Sequence, residues 1–171
     1  MNEIEPKILP LVQALNSTGL VSTFSSCEGH FDEMNRFTDH SKADVRFDPE
    51  DNASDYDIER FISYIITRFN NLYSFSPVIA TAHKLYAPIG PEENKEIDYV
   101  YVLQLIPFDQ GDSPFNKRQY IDKAILDAAS IVKEYHHTWE LLIKQNPVSR
   151  RVLYNHLKKT FYILLSAFCK D

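Results

Sequence analysis

Glycine is scarce in this chain, with four residues in 171. Phosphate-cradling loops need glycines close together so that bare backbone can approach the anion. Walker-type and dinucleotide patterns are accordingly absent, as is a nucleophile elbow. Cysteine is scarcer still: Cys27 and Cys169 lie in unlike contexts, which argues against a disulfide framework. No fully apolar run is longer than Phe161 to Leu165, far short of the ~20 residues that span a bilayer. Positive charge is in deficit too. The net charge of −6 and pI near 5.5 weigh against bulk binding to nucleic acid or an anionic membrane. Met1 to Pro10 carries Glu3 and Glu5 and no apolar h-region, so no secretory signal is expected and the cytoplasm is the expected compartment.

What is present suits one globular domain over residues 1–171, with 113–171 as a C-terminal helical pair: 44% of residues are apolar and 13% aromatic. Charge is uneven along the chain. Residues 28–59 hold eleven Asp or Glu against three Lys or Arg, and residues 144–171 hold six basic against one acidic. Solvated faces account for most such runs; the alternative is a basic C-terminal end that meets an acidic surface on a second copy.

Periodicity yields the elements. Ile4, Ile8, Leu11, Val12 and Leu15 predict a helix over 3–18, with Pro6 in its first turn, Pro10 an awkward fit and Gly19 as the stop. Residues 20–27 read as a strand and 28–42 as a polar loop, anchored by Phe31, Met34 and Phe37. Ala43, Val45 and Phe47 alternate with Asp44, Arg46 and Asp48, the pattern of a strand buried on one face. From Asp55, the apolar set Ile58, Phe61, Ile62, Ile65, Ile66, Phe69 and Leu72 predicts a helix capped by Ser54 or Asp55. Strands follow over 77–86 and 98–108; the second is apolar on both faces and therefore central. Ser113 and Pro114 read as an N-cap and first helical position for a long helix from about Asn116 to Lys144, and a last helix covers Ser149 to Phe168. The order α-β-β-α-β-β-α-α predicts an α+β fold: a four-stranded antiparallel or mixed sheet with helices on one face. The sequence shows no internal repeat strong enough to defend, although the α-β-β unit occurs twice in outline.

Chemistry concentrates in "STFSSCEGHF", residues 22–31, where a strand must turn. Gly29 permits positive φ, and backbone N–H groups beside Ser25 and Ser26 can bind an anion or a carboxylate. Cys27 and His30 are close enough in a turn for a thiolate–imidazolium pair, with Glu28 as acid, base or orienting group. The candidate catalytic residues are thus Cys27, Glu28 and His30, and the candidate ligand-binding residues Ser25, Ser26 and Gly29. The bland alternative is a small buried Cys, a hydroxyl-rich strand end and a His capping backbone. Cys27, Glu28, His30, Asp39 and His40 are all metal donors, but their spacing matches no standard zinc pattern, so no metal site is expected and one at Cys27, Glu28, His30 and His40 is a third, weaker reading. His136 and His137 point in different directions on a helix, and His83 reads as a satisfied sheet histidine. Phe61, Phe69, Tyr101 and Phe161 follow core periodicity.

The segments "LVQALNSTG", "STFSSCEGH" and "VRFDPE", in that order and followed by a helix, resemble the methyltransferase family acting third in tRNA wybutosine synthesis. That family carries a Ser-Ser-Cys-x-Gly turn, onto which Ser25, Ser26, Cys27 and Gly29 fall; His30 stands where the family has Arg. The resemblance covers roughly residues 8–70. It implies a site at this turn, S-adenosylmethionine as cofactor and a modified guanosine in tRNA as substrate, whereas the acidic balance argues against an RNA partner. The reading of the residues themselves names no cofactor. It is a ligand turn for a small polar or nucleotide-like molecule; an S-adenosylmethionine-dependent or other transferase is what the resemblance adds. The alternative is a non-enzymatic interaction protein that dimerises through its C-terminal helices with Tyr135, Trp139, Phe161 and Phe168.

Overall fold

The computed structural model describes residues 4–30, 41–51, 53–72, 77–89, 96–108 and 114–145. Phe31, Met34, Phe37, Asp39, His40, the helix expected over Ser149 to Phe168 and Cys169 lie outside these residues. Two compact units divide the chain, residues 1–135 and 136–171. The fold that follows is that of the first.

The first helix, α1 (Leu9–Ser17), starts later than periodicity alone suggests. Pro10 sets the boundary: it falls in the first turn, where a missing N–H is harmless, whereas deeper in the helix it would break a hydrogen bond. Pro6 therefore sits in the preceding turn. Gly19 follows the helix at φ 64°, the left-handed conformation of a helix stop. The second helix, α2 (Asp55–Leu72), is capped by Ser54. The Asp57 N–H donates to Ser54 Oγ at 3.2 Å, and Ser54 Oγ donates to Asp57 Oδ2 at 2.7 Å, a reciprocal cap with Asp in the usual Glu position. Its stripe Ile58, Phe61, Ile62, Ile65 and Phe69 is buried; Leu72, its last residue, is half exposed. The third helix, α3 (Pro114–Gln145), begins at its proline as expected. Ile121, Ile125, Ala128, Val132 and Tyr135 are buried in the first unit, each large side chain contributing about 1.5–3 kcal/mol.

Four strands, β1 (Val21–Cys27), β2 (Ala43–Pro49), β3 (Val78–Ile89) and β4 (Glu96–Pro107), form one sheet in the order β1-β2-β4-β3, every pairing antiparallel. The fold is thus α+β, with the expected order through α3. β4 is central, as its two apolar faces require: Tyr101, Val102, Leu103 and Leu105 are all buried. Ala43, Val45 and Phe47 on β2 lie opposite Leu105, Leu103 and Tyr101 and share the helix-covered face. The Phe47 and Tyr101 rings stack across that register at 5.9 Å. Asp44 and Arg46 turn to the other face, where His83 on β3 is exposed opposite Val102.

The topology makes the repeated α-β-β outline physical. Each half is a helix, an edge strand and an interior strand, and the interior strands β2 and β4 meet at the middle of the sheet. Both halves tie helix to edge strand with an asparagine. Asn16 in α1 accepts from the Thr23 N–H at 2.9 Å and donates to Thr23 Oγ1 at 2.8 Å. Asn70 in α2 accepts from the Ala80 N–H and donates to the Ala80 carbonyl, both at 2.9 Å. An edge strand exposes backbone groups that seek partners, and these amides satisfy some of them.

Candidate functional site

The turn after β1 is held from three directions. Gly29 adopts φ 86° and is buried; a Cβ there would stand 2.8 Å from the Ser41 carbonyl oxygen, so glycine is required by both conformation and space. Ser41 Oγ donates to the His30 carbonyl at 3.1 Å. From α3, Arg118 donates to the Gly29 carbonyl at 2.5 Å and to Glu28 Oε1 at 3.3 Å. The other Glu28 oxygen accepts from the Lys7 N–H at 2.9 Å. Asp122 completes the network, 2.6 Å from Arg118 and 2.8 Å from the Lys7 ammonium. Both Glu28 oxygens are therefore engaged in joining the N-terminal segment, the turn and α3.

The turn also brings together a second set. Glu5, in the segment before α1, accepts the Glu28 N–H at Oε2 (2.8 Å) and lies 3.0 Å from His30 Nε2 through Oε1. Cys27, at the end of β1, completes it: the donor atoms of Glu5, Cys27 and His30 all lie within 4.8 Å of one another. Partial burial pushes the Cys27 thiol up, a backbone hydrogen bond from Gly29 offsets part of this, and the negative charges of Glu5, Asp44 and Glu28 add to the rise. That environment favours the neutral thiol and works against the thiolate a covalent catalyst needs. Ser25 and Ser26 are spread along the strand beyond a bulge between Thr23 and Ser25. Ser25 lies opposite Arg46 and Ser26 opposite Val45, so adjacent hydroxyls face opposite sides of the sheet.

A groove opens elsewhere, between α2 and the β3–β4 hairpin, with a volume of about 360 Å³. Ile62 and Ile66 on α2 and Ala82 on β3 supply its apolar surface; Glu59, Lys84 and Tyr101 supply polar groups. Lys84 shares the inward parity of Val78, Ala80 and Ala82, which brings a cation to the helix-covered face. Its ammonium lies 2.8 Å from Glu59 and 3.7 Å from Asp55. It also stands over the rings of Tyr99 and Tyr101, 4.6 and 5.0 Å from their centroids. Hydrogen bonding to Glu59, then to Tyr101, holds the ammonium well above the usual lysine range, against the opposing effect of desolvation. The Tyr99 hydroxyl donates to Asp55 at 2.5 Å, and that bond, aided by desolvation, pushes the phenol up to about 12. The buried Tyr101 hydroxyl accepts from the Lys84 ammonium, and among the described residues no acceptor takes its own proton. Burial raises its pKa more than the neighbouring Lys84 lowers it.

Sequence reasoning located the turn and missed the groove, Glu5 and Arg118. One signal for the groove was available: a lysine at an inward position of an alternating strand must find partners. No local spacing links Glu5 or Arg118 to the turn, because they lie 23 and 89 residues from the groups they bind. Comparison of the chain with protein-family models, with curated proteins and with solved structures finds no match.

Proposed function

We propose that this protein is a binding protein for a small molecule and that the groove between α2 and β3–β4 receives it. The observation that carries this reading is the buried Tyr101 hydroxyl on the groove wall, whose own proton finds no acceptor among the described residues. A buried donor without a partner is destabilising by about 1–3 kcal/mol, a cost that a ligand acceptor removes. The volume lies at the small end of ligand pockets, and the combination of an apolar surface with a few directed polar groups is their usual make-up.

Charge selects among ligands. Glu59 lines the groove beside Lys84, and Asp55, outside the lining, lies 3.7 Å from the same ammonium, so the lysine is already neutralised and the groove favours a neutral or cationic molecule bearing a hydrogen-bond acceptor over a phosphate. This narrows the small polar ligand expected from the sequence and turns away from its nucleotide-like version. S-adenosylmethionine, which the wybutosine-family resemblance implies, is a net cation and remains a candidate.

A thermal-shift screen of S-adenosylmethionine, neutral nucleosides, small amines and nucleoside triphosphates tests the reading. Wild type is expected to be stabilised by a neutral or cationic compound and by no triphosphate. Ile66→Trp, which fills the groove, and Tyr101→Phe, which removes the donor, should both reduce that shift. Absence of any stabilising compound overturns the reading, as does a shift that survives Ile66→Trp.

A further inference from the structure

We propose that Glu5, Cys27 and His30 form a three-ligand site for a divalent transition metal, zinc being the best fit, with a fourth position open to water. The three donors are a carboxylate, a thiol and an imidazole, the set from which zinc sites are built. They come from three places in the chain: the segment before α1, the last residue of β1 and the turn that follows. The fold alone brings them within 4.8 Å of one another. Tetrahedral zinc with ordinary bond lengths sets ligand atoms about 3.4–3.8 Å apart. The Glu5 and His30 atoms stand at 3.0 Å and every pair lies within 4.8 Å, so ligation asks for separations to change by about 1.4 Å or less between partly exposed side chains.

The surroundings support the site as well as its three ligands. The Glu28 N–H holds Glu5 Oε2 at 2.8 Å, which leaves Oε1 directed at His30. The Cys27 sulfur takes a backbone hydrogen bond from Gly29. Hydrogen bonds of this kind orient metal ligands. Asp44 adds negative charge beside the thiol, which favours a dication. The turn is held on two sides, since Arg118 donates to the Gly29 carbonyl and Gly29 is packed against Ser41. Exposure is graded: the His30 side chain is 57% exposed and that of Glu5 32%. Solvent therefore reaches the metal position, and three protein ligands with an open fourth position is the arrangement of reactive rather than purely structural zinc. On binding, the thiol gives its proton to solvent, and any proton on the imidazole leaves as well.

The test is a cobalt(II) titration of the full chain after stripping with a chelator and dialysis. Thiolate ligation gives a near-ultraviolet charge-transfer band, and tetrahedral geometry gives intense visible bands. Both should saturate at one equivalent and disappear on addition of zinc. Cys27→Ser should abolish the charge-transfer band, and Cys169→Ser should leave it intact. Glu5→Gln and His30→Ala, at partly exposed positions that leave the fold intact by circular dichroism, should each weaken binding at least about tenfold. Ile66→Trp in the groove should leave the titration unchanged. No charge-transfer band in wild type overturns the proposal. So does a band that survives Cys27→Ser, or an affinity unmoved by both Glu5→Gln and His30→Ala.

Discussion

The guanidinium of Arg118 donates to the carbonyl of Gly29 across 89 positions of sequence, at 2.5 Å. Through that contact α3 holds the turn from which Cys27 and His30 are presented. The Arg118 side chain is 19% exposed and its partner Glu28 16%, so the pair is largely shielded from solvent. Arg118→Met should destabilise the protein by about 2–4 kcal/mol, because two carboxylates and a carbonyl lose their donor in a partly dry site. The control is Arg68, whose pair with Glu134 is 44% and 45% exposed; Arg68→Met should cost about 0–1 kcal/mol. Urea unfolding of both variants checks this, and equal losses would refute the distinction.

The two positive-φ glycines should respond differently to alanine. At Gly19, φ is 64° and nothing lies within 4 Å of an added Cβ, so Gly19→Ala should cost only left-handed strain, about 1–2 kcal/mol. At Gly29 the Cβ meets the Ser41 carbonyl oxygen at 2.8 Å, so collision adds to strain and the loss should reach about 2–4 kcal/mol. Melting temperatures of the two variants, measured side by side, decide it. A larger drop for Gly19→Ala would show that the turn is not held as described.

Alkaline pH should weaken the fold through the Lys84 cluster. Tyr99 titrates at about 12 and Lys84 above its usual range, both raised by hydrogen bonds to carboxylates. A raised folded-state pKa contributes stability that is fully present below the unfolded value and lost as pH climbs through the folded one. For Tyr99 the loss runs from about pH 10, its unfolded value, to about 12, and Lys84 adds to it in the same direction. Urea midpoints across that window should fall less steeply for Tyr99→Phe than for wild type. Parallel slopes would remove Tyr99 from the account.

Cys27 should be a sluggish nucleophile. Burial and the negative charges of Glu5, Asp44 and Glu28 raise its pKa, so little thiolate exists at neutral pH. In a Cys169→Ser background with chelator present, iodoacetamide should react more slowly than with free cysteine, and the rate should still be rising past pH ~9. A rate that plateaus below neutral pH would restore the thiolate–imidazolium pair.

How much could be read from the sequence follows from how local each cause is. The α2 stripe was legible because Ile58, Phe61, Ile62, Ile65 and Phe69 repeat at helical spacing and are all buried. The central place of β4 was legible because both of its parities are apolar. The start of α1 was legible only in part. Pro10 acts locally, yet it decides between a helix from Glu3 and one from Leu9 only when the preceding turn is known. The turn at 27–30 stood out by its residue types, and its division into Glu28 and Gly29, tied to Arg118, and Cys27 and His30, gathered with Glu5, did not.

The sequence by itself determined the element order through α3, the α+β class and most of the side chains that enter the core, because periodic burial acts over a few residues at a time. Tertiary structure alone decided the two places where chemistry gathers. Antiparallel pairing of β3 with β4 sets Lys84 opposite Tyr101, and α2 brings Glu59 to both. The N-terminal segment carries Glu5 to within 3.0 Å of His30. Such meetings depend on strand register and helix placement, which arise from the summed packing of the whole core and leave no mark in the spacing of the residues concerned.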